Sequence, residues 1–180
     1  MSNRVRVLHH DNCFDGIASA AVFSSFYRAA IDPDARFEYQ GLAHKAGKYI
    51  FESFFSGDEN VIVDFKYSSS ERLTWWFDHH ESAFLSPEDE IHFRNDTSGR
   101  KFHDPTYRSC TKYIAQISSE VFDCNMDDLA ELIHWADIID GAQFKDAKSA
   151  VELKEPALQL MQVIEAAHDA ELLEHIIQRM

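Results

Sequence analysis

Three apolar runs in this 180-residue chain end on side chains that bind hard cations. Val5-Arg6-Val7-Leu8 leads into His9-His10-Asp11-Asn12-Cys13-Phe14-Asp15-Gly16, Val61-Ile62-Val63 into Asp64, and Leu73-Thr74-Trp75-Trp76-Phe77 into Asp78-His79-His80. Read as strands, these runs end where open α/β sheets hold their ligands. Carboxylates and imidazoles without paired thiolates suit Mn or Mg, and two such ions clamp both sides of a displacement at phosphorus. One carboxylate must bridge the pair, and Asp64, alone at its strand end, is the candidate. One of His79 and His80 can ligate while the other donates a hydrogen bond to a phosphate oxygen or to a supporting acid. Gly16 permits the tight strand-to-helix turn that brings Asp15 to a ligand.

Each of these residues also has a plainer reading. A lone Asp at a strand end is usually a helix cap, and paired histidines can mark a surface turn; the ordered set of three is what favours metal. Cys13 reads as a packed thiol, since nothing in the sequence fixes a basic partner for it. His134, one turn before Asp137, reads as a core or supporting histidine more readily than as a ligand. Ser109-Cys110-Thr111 is most simply the N-cap of a helix, although its N–H groups suit a phosphate as well.

The elements that must position these groups alternate. Strands are expected at Arg4–Leu8, Arg36–Gly41, Asn60–Phe65 and Leu73–Phe77, with a further short one at Ile91–Phe93. Helices are expected at Asp15–Ala30 and Gly47–Phe55, and Ser68-Ser69-Ser70-Glu71 has the composition of a helix cap. The stretch from Asp96 to Pro105 reads as a polar loop, and its cations Arg100, Lys101 and His103 are candidate substrate contacts in an otherwise acidic chain. Beyond it, Tyr107–Phe122, Asp127–Ile139, Pro156–Ala167 and Asp169–Met180 carry apolar residues at helical spacing. The expected fold is therefore α/β, a doubly wound and mostly parallel sheet flanked by helices, with a helical C-terminal part. Residues 1–142 form the site-bearing domain in this reading and 143–180 a helical extension.

Composition narrows the function classes. With 31 acidic residues against 17 Lys and Arg the net charge is −14, which disfavours long nucleic acid and makes metal ions necessary for any work on phosphates. No apolar run is long enough to span a bilayer and no export signal opens the sequence, so a cytoplasmic protein without membrane partners is expected. Cys13, Cys110 and Cys124 are odd in number and widely spaced, as expected of free thiols.

Over residues 4–142 the order and spacing of these motifs resemble the DHH phosphoesterase superfamily, whose members include exonucleases of single-stranded DNA, nanoRNA hydrolases, manganese pyrophosphatases and exopolyphosphatases. The resemblance implies a Mn- or Mg-dependent hydrolase with two ions. Asp15, Asp64, His79 and Asp137 would surround one, with Asp140 the competitor of Asp137; the first-motif residues and Asp64 would hold the other. His80 would join Asp64 and His79 in catalysis. The first motif departs from the family pattern, because Asn12 or Cys13 stands where an acid is expected. Asn12 can offer only a neutral amide oxygen, Asp11 can swing in, and His9 and His10 compete for the imidazole position, His10 favoured by spacing. That first site is expected to be the weaker. Family members usually continue into a glycine-rich, basic substrate domain, and nothing after Pro156 resembles one. The implied function is hydrolysis of a small phosphorylated substrate: a short oligonucleotide, nucleotide, cyclic dinucleotide or short polyphosphate. The alternative is a catalytically weakened nucleotide-binding or interaction domain. A homo-oligomer is compatible with either.

Overall fold

The computed structural model describes residues 2–43 and 50–180. Among these, five strands form one all-parallel sheet. β1 (Arg4–His10) is followed by α1 (Phe14–Ala30), β2 (Arg36–Leu42), β3 (Glu59–Val63), β4 (Trp75–Asp78), α2 (Pro87–Arg94), β5 (Lys101–His103), α3 (Cys110–Phe122), α4 (Ala130–Asp140), α5 (Ala147–Glu152), α6 (Pro156–Ala166) and α7 (Ala170–Arg179). The spatial order β2-β1-β3-β4-β5 reverses direction between β1 and β3. In an open parallel sheet that reversal leaves a crevice beyond the carboxyl ends of the two strands, and His10 and Asp64 stand there.

Both faces of the sheet are covered, which is why the strands are apolar on both sides. Val5, Val7, Val61, Val63, Trp75 and Phe77 pack against Ile17, Phe23 and Phe26 of α1 and against Ile114, Ile164, Leu173 and Ile177 of the later helices. Leu8, Ile62 and Trp76 point the other way, into a smaller cluster with Leu42, Phe65, Tyr67 and Leu73. Trp75 and Trp76 are buried in the core. The C-terminal helices α6 and α7 share the main core rather than forming one of their own.

Four sequence expectations need correction. Ile91-His92-Phe93 is not a strand but lies in α2, where Ser86 accepts the Asp89 N–H at 3.2 Å, Pro87 takes the first turn and Glu88, Asp89 and Glu90 complement the helix dipole. Ser68–Glu71 caps no helix; the Ser70 hydroxyl donates to Glu52 Oε2 at 2.9 Å, and the chain runs from β3 to β4 as a loop. The polar stretch 96–105 contains β5, whose Phe102 stacks on Phe77 with ring centroids 5.0 Å apart. The helix expected over Gly47–Phe55 lies partly outside the described residues, and a single 3-10 turn spans Glu52–Phe54. The short α5 went unforeseen because its six residues carry too few apolar positions for a helical period to register.

Candidate metal centre

Asp64 follows β3 with φ +53°, in the left-handed region, and both carboxylate oxygens are buried. That conformation costs an L residue energy, and it turns the carboxylate into the crevice between neighbouring strand ends. Oδ2 lies 3.5 Å from His10 Nδ1, and Oδ1 lies 3.5 Å from His79 Nε2 and 3.8 Å from His80 Nδ1. His79 Nε2 in turn lies 3.7 Å from Asp15 Oδ2 and 3.4 Å from Asp140 Oδ2. Three carboxylates thus converge on one imidazole nitrogen.

Each side chain is held from behind. Asp15, in the first turn of α1, accepts the Cys110 N–H at 2.7 Å and the Thr111 N–H at 3.0 Å. The start of α3 is therefore spent on a protein carboxylate and not on a phosphate. A Cβ on Gly16 would come within 2.3 Å of the His10 carbonyl oxygen, so only glycine lets α1 begin this close to β1. Asp78 Oδ1 accepts from the backbone N–H groups of His79 and His80, at 2.9 and 3.3 Å, and lies 2.7 Å from His80 Nδ1. Asp78 is thus the group that fixes the turn and aims His80. His79 Nδ1 lies 3.1 Å from the Tyr107 carbonyl oxygen, which sets Nε2 toward the carboxylates.

The donor set fits a metal. Among the described residues, both oxygens of Asp64, Oδ2 of Asp78 and Nε2 of His79 are buried without a hydrogen-bond partner. A buried carboxylate met only by ion pairs of 3.5–3.8 Å is incompletely satisfied, and metal coordination would relieve it. Three groups of donor atoms, each within 4.8 Å of one another, are available: His10, Cys13 and Asp64; Asp64, His79 and His80; Asp15, His79 and Asp140. Asp64 belongs to two of them and His79 to two, so the groups form one continuous centre.

The remaining expected residues lie elsewhere. Asp137 points away from the centre and accepts from Lys112 Nζ at 2.7 Å, leaving Asp140, one turn further along α4, beside His79. His9 faces the opposite side of β1, with Nδ1 3.0 Å from the His10 carbonyl, so of the two it is His10 that meets Asp64. Asp11 packs over Gly41, away from the crevice. Asn12 donates its amide to the carbonyls of Ile164 and Ala167, at 3.1 and 2.5 Å, and clasps the α6–α7 connection instead of offering an oxygen to metal. Arg100 sits at the amino ends of the strands, 3.4 Å from Glu59 and over the Trp75 ring, at the far edge of the sheet from Asp64. Lys101 is buried against Asp96 at 2.9 Å. Of the three loop cations only His103 reaches the centre, and it does so indirectly: Nε2 lies 2.8 Å from the His80 carbonyl. His134 is exposed and packs on Trp135.

The position of Asn12 reverses a simple expectation from the motif. Asn12→Asp restores a carboxylate to the first motif, but it sets that charge against two carbonyl oxygens and deletes two hydrogen bonds. The variant is expected to lose about 2–3 kcal/mol of stability with no gain in Mn affinity. Thermal melts with a calorimetric Mn titration are the check, and tighter Mn binding in a fully stable variant would mean that residue 12 faces the metal.

Electrostatics couple the centre to protons. Burial, followed by the charges of Asp64 and Asp140, pushes Asp15 well above the usual carboxylate range. Burial would raise Asp64 too, but the neighbouring His10 and His79 hold it down at about 2. Burial opposes charge on His79, yet Asp64 and Asp15 raise it to about 10. Burial and the charges of Asp64 and Asp15 raise the Cys13 thiol, so it stays protonated in the metal-free protein. A ligating imidazole must be neutral. Below pH 10 an ion taking His79 Nε2 therefore displaces a proton, and apparent Mn affinity should rise by about tenfold per pH unit between about pH 6 and 8. Calorimetry in buffers of different ionisation enthalpy measures the released proton, and an affinity independent of pH would exclude His79 as a ligand.

No protein-family model matches the chain, and no curated protein matches it.

Proposed function

We propose that this chain is a Mn- or Mg-dependent phosphoesterase of the DHH type, acting on a small phosphorylated substrate. The observation that carries the reading is that the buried Asp64 oxygens and His79 Nε2, at the reversal of strand order, make long ion pairs but no hydrogen bond, with His10, Asp15, His80 and Asp140 around them. Asp64 would bridge two ions, His79 and Asp140 with Asp15 would complete one position, and His10 with Cys13 the other. When bound, such ions supply charge neutralisation on a phosphoryl group and acidify water. The chain's own contribution is to fix the donors: Asp78 aims His80, Tyr107 aims His79, and the start of α3 holds Asp15.

One observation favours the weaker alternative, a nucleotide-binding or interaction domain of the same fold. The first-motif position lacks a second carboxylate, since Asn12 is turned to the C-terminal helices and Cys13 is a soft, protonated donor for a hard ion. The two readings separate on turnover. Mn-loaded protein offered pyrophosphate, short polyphosphate, dinucleotides, cyclic dinucleotides and bis(p-nitrophenyl) phosphate should hydrolyse at least one of them and lose that activity in Asp64→Asn. Metal binding without turnover on any of them selects the binding domain.

A further inference from the structure

The two halves of the centre offer different chemistry. One half, Asp15, His79 and Asp140 with Asp64 beside them, consists of carboxylates and a single imidazole. The other, His10, Cys13 and Asp64, places a thiol sulfur within 4.8 Å of both the imidazole nitrogen and the carboxylate, and Asp64 is its one acid. Asp64 is only 1% exposed, and neither of the oxygens it turns into this space is hydrogen-bonded. The neighbouring acids of the first motif are committed elsewhere. The Asp11 carboxyl carbon lies 2.6 Å from where a Cβ on Gly41 would stand, and its Oδ1 accepts the Asn12 N–H at 3.1 Å. Asp15 is held by the N–H groups at the start of α3. Sulfur is therefore the donor left to complete the first position.

Where Cys13 stands sharpens the point. It is the N-cap of α1, a position that favours Asp, Asn, Ser or Thr. An aspartate there would cap the helix and also serve Mn or Mg. Cysteine does neither well, because it caps weakly and thiolate is a soft ligand. The set of imidazole, thiolate and carboxylate suits zinc, which takes three protein ligands of these kinds in a tetrahedral site and leaves the fourth position to water. Resting on the metal reading, we infer that the first position takes Zn through His10, Cys13 and Asp64, that the second takes Mn or Mg through Asp15, His79 and Asp140, and that the centre is a mixed pair bridged by Asp64. On binding, the Cys13 sulfur gives its proton to solvent and bonds to the ion as thiolate. Mn offered alone at saturation fills both positions, the first weakly, because a hard ion gains little from sulfur. The residue that breaks the acidic pattern of the first motif is then the one that selects its metal.

The test uses the metal-free full chain under a non-thiol reductant, with Co(II) as a spectroscopic probe of the Zn position. Wild type with two equivalents of Co(II) should show an intense near-ultraviolet thiolate-to-cobalt charge-transfer band. Cys13→Ser and Cys13→Asp should lose it, and Cys124→Ser should keep it. Zn binds sites of this kind more tightly than Mn in general, so the informative quantity is the change in preference: Cys13→Asp should lower the Zn-over-Mn preference of one position by about a hundredfold and leave the other unchanged in competitive titrations. In the unmutated chain, which needs no variant to fold, Zn should shield Cys13 but not Cys124 from iodoacetamide, as mapped by peptide mass spectrometry. Bound Co(II) without the charge-transfer band, a Zn-over-Mn preference that stays within about threefold in folded Cys13→Asp, or equal alkylation of Cys13 with and without bound Zn overturns the thiolate position and leaves the metal reading standing. Wild-type protein that takes up none of Co(II), Zn and Mn overturns the metal reading, and the mixed pair falls with it.

Discussion

Asp64→Asn is expected to lower metal-dependent hydrolysis by about a thousandfold or more, equivalent to roughly 4 kcal/mol of barrier, while leaving the fold intact. Asparagine tolerates the left-handed conformation that residue 64 adopts, at φ +53°, nearly as well as aspartate does, so the turn after β3 survives. The side chain keeps its shape and loses its charge. A neutral amide cannot offset two ions at once, and the groups it faces, His10, His79 and His80, would lose the anion that gathers them. Turnover with far-UV circular dichroism and Mn titration in parallel is the measurement. Wild-type turnover in a folded variant would remove Asp64 from the bridging position.

The second large effect separates two acids that lie one turn apart on α4. Asp140→Asn should weaken Mn binding by about ten- to a hundredfold, because Asp140 Oδ2 lies 3.4 Å from His79 Nε2 and faces the same space as Asp15. Asp137→Asn should leave Mn affinity within about twofold and cost at most about 1 kcal/mol of stability, since what it loses is a partly exposed ion pair with Lys112. Mn titrations and thermal melts of the two variants decide the matter. The opposite ranking would place Asp137 at the metal and Asp140 in solvent.

These two acids mark the boundary of what the sequence discloses. Strand ends were legible because burial on both faces forces unbroken apolar runs, and the polar residue that ends each run is where the chain meets the crevice; hence Asp64 and the Asp78-His79-His80 turn. Helix α3 was legible because Ser109 caps it and a regular apolar period follows. The choice between Asp137 and Asp140 was not, because residues three apart share a helix face and only the packing of α4 against α3, with Lys112 at the contact, tells them apart. The same limit applied to Asn12, whose partners lie about 150 residues away in the α6–α7 connection, and to the placement of Arg100. Strand direction decides that placement: Arg100 precedes β5 and so stands at the amino edge of the sheet. With β5 read as a loop, no direction could be assigned. The strand expected at Ile91-His92-Phe93 failed because the alternation of Ile91 and Phe93 about His92 outweighed the cap Ser86-Pro87 that began a helix just before them.

The most direct measurement of the central claim is the Mn content of the purified chain at saturation, read by electron paramagnetic resonance alongside elemental analysis. Two Mn ions per chain, with the exchange-broadened spectrum of a coupled pair in wild type and its loss in Asp64→Asn, is the predicted result. No bound Mn at saturating concentration, or isolated-ion spectra unaltered by Asp64→Asn, would contradict a metal centre bridged at the end of β3.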